Sequence, residues 1–267
     1  MVLFNRLTLI YFILLLGIIF TQLFFPGLFQ SFSGNILTIM ALCLIVFYAL
    51  LSLVMVFLPC SQFFHPVICQ GTTQEKIVAI TFDDGPDSVK TPLILDILRR
   101  NHVPATFFCI GSKVESDEAI VQQIHAEGHL IGNHTFSHAH LFNFYSTSRV
   151  LNELLVTDQV IAKVTGARPA FFRPPFGIIN PTLHRVLRKT HWQSVCWNIR
   201  SFDTMPRDPQ KIQRRILRKL KPGSIILLHE AASYSESHLE ELIALIRNAG
   251  YELVALDKLL NLQAYVQ

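Results

Sequence analysis

From residue 76 onward, short β-rich runs alternate with stretches of helical spacing, and no other feature limits the fold as tightly. The runs are Ile77–Phe82, Thr106–Ile110, His129–Gly132, Ala170–Arg173, Gln193–Trp197, Ser224–His229 and Tyr251–Ala255. Between them the spacing predicts helices over Thr91–Arg100, Ser116–Ala126, Thr147–Val164, Pro181–Lys189, Pro209–Leu220 and His238–Asn248. Gly128, Gly166 and Gly250 stand where helices should stop. Seven strands alternating with helices predict an α/β domain built on a parallel sheet, open or closed into a barrel.

Ahead of that rhythm the chain is almost uncharged. Leu7–Phe25 and Ile36–Leu58 carry no charge over 19 and 23 residues. At about 1.5 Å of rise per residue, each can cross a hydrocarbon core of roughly 30 Å. A cleaved signal peptide fits the first run poorly, because Phe24, Phe25 and Pro26 stand where a small-residue cleavage site belongs. The expectation is a two-helix transmembrane hairpin within residues 1–62 that turns through FPGLFQSFSGN, a linker over 63–75, and a folded domain over 76–267. Such a protein is multi-pass, with membrane lipid as a partner. Arg6 is the only charged side chain before Glu75, and by the positive-inside rule it favours a cytoplasmic start. Two crossings then return the domain to the cytoplasmic side.

The remaining 22 basic residues face 19 acidic ones, a balance that gives no nucleic-acid patch, and no nucleic-acid partner is expected. Cys43 lies in a span, and Cys109 and Cys196 lie in predicted strands as small packers. Cys60 and Cys69 flank the membrane and can bridge only if that side is oxidising.

The polar residues sit where the strands end. Asp83 and Asp84 follow the first strand, Asn133 and His134 the third; Arg173 ends the fourth, Asp203 lies beyond the fifth, and His229 ends the sixth. The carboxyl ends of strands are where α/β barrels and open sheets gather active sites, so the alignment points to an enzyme. The stretch ITFDDGPD sets two like charges side by side. Its ordinary reading is an Asx-type turn; the alternative is a division of labour, one acid holding a metal and one moving a proton. In HTFSH, His134 and His138 are four apart, so one helical turn would put both imidazoles on one face. With Asp84 they form a two-histidine, one-carboxylate set that leaves open positions on a divalent ion.

Together, TFDDGP, HTFSH, RPPFG (173–177) and the SIILLHE stretch around His229 resemble four of the five motifs of the NodB-homology polysaccharide deacetylases, carbohydrate esterase family four. The resemblance covers residues 76–257. It implies a distorted (β/α)7 barrel and hydrolysis of N-acetyl groups on an amino-sugar polymer or other N-acetylated glycan. It also implies that Asp84, His134 and His138 bind one divalent ion, zinc first, with cobalt, manganese or nickel as alternatives. Asp83 is then the general base, Arg173 holds it in place, and His229 is the general acid that protonates the departing amine. The Phe176 backbone N–H serves the oxyanion, and Leu227 lines the acetyl pocket.

The fifth motif departs from the family pattern, which is D-x-x-D-W where this chain has RSFDT. Asp203 matches the second acid, expected to orient His229. Arg200 replaces the first and Thr204 the tryptophan, which leaves the substrate open. Arg200 reads either as a surface residue or as a positive charge at the cleft rim suited to an anionic substrate. HLFNFY (140–145) reads as buried aromatics or as an aromatic lip that meets sugar or membrane. Two further readings stand beside the polymer deacetylase: a deacylase or deformylase of a polyprenyl-phosphate-linked amino sugar at the membrane surface, and an inactive glycan-binding protein.

Overall fold

The computed structural model describes residues 3–24, 36–205, 208–230 and 236–266. Two apolar helices open the chain, α1 (Leu3–Phe24) and α2 (Ile36–Val56). The windows Arg6–Phe24 and Thr38–Val56 are long and apolar enough to cross a membrane, and neither is buried by the rest of the protein. The expected turn at 25–35 lies outside the described residues.

The domain then runs β1 (Ile77–Gly85), α3 (Lys90–Arg100), β2 (Ala105–Cys109), α4 (Gly111–Ser116), α5 (Glu118–Ala126), β3 (Leu130–Asn133) and α6 (Thr147–Thr165). There follow β4 (Arg168–Pro169), β5 (Phe171–Phe172), α7 (Pro181–Leu187), β6 (Gln193–Ser194), β7 (Ile199–Arg200), α8 (Pro209–Lys219) and β8 (Ile225–His229). The chain closes with α9 (Glu236–Asn248), β9 (Glu252–Leu253), α10 (Leu256–Leu260) and β10 (Tyr265–Val266). Helix ends follow their side chains. Ser146, Asn180 and Asp208 each cap a helix by accepting a backbone N–H, and Gly166 ends α6 in the left-handed region.

The sheet is parallel, in the order β6-β5-β3-β2-β1-β8-β7, with β9 paired to β1. It is a curled half-barrel: among the described residues β6 and β7 are joined to no common partner. The gap is spanned by the stretch expected as a linker, where Ile68 bridges to Val195 and Gln70 to Ser224. Phe63, Phe64 and Val67 of that stretch are buried in the core, and Cys60 and Cys69 form a disulfide. The segment is a structural part of the domain, because its three apolar side chains have no other place to leave water.

Side-chain alternation along the strands divides the core in two. Val78, Ile80 and Phe82 of β1, with Ile226 and Leu228 of β8, pack under α3, α5, α8 and α9. Ala79, Phe108, Ile225 and Leu227 face the concave side with Phe171 and Phe172. The same period carries Thr81, Asp83 and His229 onto that concave side.

Gly223 packs its Cα region against the Gly71 carbonyl at φ +77°, so a Cβ there would overlap backbone in a conformation that L-residues rarely adopt. Gly223→Ala should lose about 2 kcal/mol or more of stability, read as a fall in the thermal unfolding midpoint of the full chain in detergent.

Candidate active site

In a regular strand Asp83 and Asp84 would face opposite sides of the sheet. The register of β1 against β2 slips between Asp83 and Gly85, and Asp84 has φ +69°. This bulge turns Asp84 to the same end of the sheet as its neighbour. The Lys113 ammonium donates to the Asp84 carbonyl at 2.7 Å and holds the bulge from the α4 side. Asp84 Oδ1 then lies 3.4 Å from His134 Nε2 and 3.3 Å from His138 Nε2.

The histidine pair does not sit on a helix, contrary to the one-turn expectation. Residues 134–139 are a loop in which Thr135 (φ +65°) and His138 (φ +46°) occupy the left-handed region. The loop is held from outside. Glu153 of α6 accepts from the Phe136 and Ser137 N–H groups at 3.1 and 2.8 Å, while Gly111 and Ser112 donate to the Thr135 and Phe136 carbonyls. Asn133 accepts from Thr135 N–H and donates to Asp158. The His134 Nδ1–H donates to the Arg173 carbonyl at 2.8 Å, which turns Nε2 toward Asp84.

One ligand atom from each of Asp84, His134 and His138 lies within 4.8 Å of the others. Bonds of about 2.0–2.1 Å at tetrahedral angles place ligand atoms about 3.4 Å apart, so the two measured separations fit a zinc-sized ion. Burial pushes the Asp84 carboxyl up, but the hydrogen bond and charge of His134, with His138 and His229 nearby, hold it well below the usual carboxylate range. Burial, then the charge of His134, lowers His138, which favours the neutral ligating form.

Asp83 is buried beside the triad. Its Oδ1 accepts from Arg173 Nη1 at 2.6 Å, and its Oδ2 lies 3.8 Å from His134 Nε2. Arg173 is itself fully buried and donates further to Thr81 Oγ1 and to the carbonyls of Val195 and Cys196. In the pairing of β1 with β8, Asp83 stands opposite His229. His229 Nδ1 and backbone N each bond to Asp203 at 2.8 Å, and Ser201 donates to the same carboxylate. Burial works against the charged form of His229, but the hydrogen bond and charge of Asp203 outweigh it and raise the pKa.

Phe176 stands at the rim, 44% exposed with φ +61°, its ring edge-on to His138. Leu227 is buried two residues before His229 on the same face of β8. Arg200 is exposed and lies over the Phe202 ring, which the Arg215 guanidinium also approaches. Glu153, Asp158, Lys113 and Glu230 were not singled out from the sequence. Only burial and hydrogen bonds, which the sequence does not display, mark them. Glu230 is buried against Gly85, takes the Thr91 hydroxyl, and burial pushes its carboxyl up to about 8.

The chain matches the family model described as polysaccharide deacetylase over residues 70–195. A peptidoglycan-N-acetylglucosamine deacetylase of Bacillus cereus is 36% identical over 195 residues, covering 70% of this chain and 89% of the relative. The chain belongs to the polysaccharide deacetylase family. The peptidoglycan-N-acetylmuramic acid deacetylase PdaC of Bacillus subtilis is 32% identical over 185 residues, 69% of this chain and 39% of that protein. The crystal structure of the peptidoglycan N-acetylglucosamine deacetylase Bc1960 superposes with a TM-score of 0.70 at 32% identity, covering 74% of this chain and 94% of that one.

Replacing Asp203 by Asn removes the charge that holds a proton on His229. In the pH–rate profile of amide hydrolysis, the alkaline limb should move to lower pH by about one unit or more, with the acid limb unmoved.

Proposed function

We propose that this protein is a membrane-anchored, metal-dependent hydrolase that removes N-acetyl groups from an amino-sugar polymer of the peptidoglycan class. The observation that carries the reading is the pairing of Asp83 with His229 on adjacent strands, beside three ligand atoms that fit one cation. Relatives named as peptidoglycan deacetylases support the substrate class.

Asp84, His134 and His138 would hold the divalent ion, zinc first. When bound it supplies Lewis-acid polarisation of the acyl oxygen and lowers the pKa of a bound water. Asp83 takes the proton of the attacking water. Arg173 keeps that carboxylate aimed, since four of its own donors are committed to fixed partners and it cannot swing away. The Phe176 backbone N–H stabilises the developing oxyanion, and Leu227 receives the acetyl methyl. An amine leaves only once protonated, and His229, kept charged by Asp203, delivers that proton.

We infer an extracytoplasmic position for the domain. The Cys60–Cys69 disulfide belongs to an oxidising compartment, and a peptidoglycan substrate lies there too. The disulfide and the proposed substrate together outweigh the single charge of Arg6, which by itself favours the cytoplasmic side. Carboxy-terminal fusions should give active alkaline phosphatase and dark GFP; the reverse pattern returns the domain to the cytoplasm.

Acetate release from N-acetylated glycan strands by the detergent-solubilised full chain is the direct assay. Chelation should abolish release and added zinc restore it. Asp83→Asn should lower kcat by about 10²–10⁴ while zinc affinity stays within threefold, whereas His134→Ala should lose both. Release that survives chelation, or zinc binding lost in Asp83→Asn, contradicts the assigned roles.

A further inference from the structure

The mouth of the site is rimmed with exposed apolar side chains. Among the described residues beyond Leu58, seven large apolar side chains are exposed, and five of them sit in loops that follow strand ends: Val89, Leu141, Phe144, Phe176 and Met205. Phe144 is 84% exposed and Leu141 64%. An apolar patch kept open to water on a folded surface marks something that covers it.

The base of the hairpin stands against this same rim. Phe57 and Leu58, just past α2, are still exposed and apolar. The next residue, Pro59, reaches the Gly177 backbone: a Cβ on Gly177 would lie 2.8 Å from Pro59 Cγ and 2.8 Å from the Trp197 ring. Gly177 directly follows Phe176. At the other span, the Phe4 N–H donates to the Phe63 carbonyl at 2.8 Å, and the Phe4 ring packs on Phe63 and Phe64. The loop carrying Leu141 and Phe144 is tied to the same place, through His140 stacked on Phe176 and Asn180 donating to the Asn143 carbonyl at 2.7 Å. No flexible stalk separates the apolar spans from the rim.

We propose that this rim seats the mouth of the active site on the bilayer surface, with Leu141 and Phe144 in contact with lipid. The inference rests on reading α1 and α2 as membrane spans. It narrows the preferred substrate to an amino-sugar glycan presented at the membrane face, still tethered to a membrane lipid, because a mouth seated on the bilayer meets such a glycan without leaving the surface. Aromatic side chains at the level of the headgroups are a usual interfacial anchor.

The test uses the full chain in phosphatidylethanolamine–phosphatidylglycerol vesicles, in a Cys43→Ser background. A bimane probe on Phe144→Cys is compared with one on Leu155→Cys, an exposed position more than two turns into α6. Doxyl-labelled lipid should quench the probe at 144 at least threefold more than that at 155. Equal quenching in a chain that resists alkaline carbonate extraction overturns the rim inference and leaves the spans standing. Extraction by carbonate overturns the membrane reading and the inference with it. In a second arm, Leu141→Glu/Phe144→Glu should lower kcat/KM at least tenfold on an N-acetylglucosamine oligomer carried on vesicle lipid, and change it less than twofold on the soluble oligomer. An equal loss on both assigns the rim to sugar stacking and overturns the proposal.

Discussion

The site depends on one buried cation. Arg173 is fully enclosed, and a guanidinium in the dry interior is tolerable only when its donors are paired. Its partners come from separated parts of the sheet: Thr81 and Asp83 on β1, and the carbonyls of Val195 and Cys196 just beyond β6. The guanidinium lies flat on Phe108 of β2, 3.9 Å from the ring centre. The sheet does not close between β6 and β7 through its own ladder. Arg173 therefore does two jobs with one set of bonds: it stitches the open edge to the centre, and it orients the carboxylate beside Asp84, His134 and His138. Removing it leaves an unpaired buried carboxylate as well as a loosened edge.

Two neighbouring aspartates keep distinct chemistry because the backbone separates their surroundings. Asp83 keeps the strand's inward direction and meets a permanent cation, so one oxygen is committed and the other faces the cavity. Asp84 turns out of register and meets two imidazoles, surroundings that suit a ligand. The bulge between them rests on Lys113 at its carbonyl and on Glu230 filling the space beside Gly85. A protonated Glu230 spares that crowded corner a third negative charge.

Much of this arrangement was legible from residue order alone. Period-two alternation gave the inward face of β1 and β8, and the clustering of Asp, His and Arg at strand ends located the site. The cluster of Asp84, His134 and His138, the Asp83–Arg173 pair and the His229–Asp203 pair all occur among residues that spacing and motif had marked. The spacing of HTFSH misled, because four residues apart implies a helix only when nothing else organises the backbone. Here Glu153, a residue with no local signal, binds the loop amides and sets left-handed turns at Thr135 and His138. The linker reading of 63–75 failed for a similar reason. Phe63, Phe64 and Val67 are apolar in a polar stretch, but only the gap in the sheet gives them a place. Two-residue strands such as β4, β7 and β10 carry no periodicity to read.

The acids of α6 have a wider consequence. Glu153 grips the loop of His134 and His138 and Asp158 grips Asn133, Trp192 and His191, so a single helix braces the two histidines and the far edge of the sheet together. The stretch from Ala139 to Tyr145 leaves this brace and returns to it at Ser146, where α6 begins. Its exposed positions, Leu141 and Phe144, can change composition while His134 and His138 keep their places. Chemistry and recognition are thus mechanically decoupled, and a shared catalytic frame can be refitted to new surfaces by altering a handful of residues.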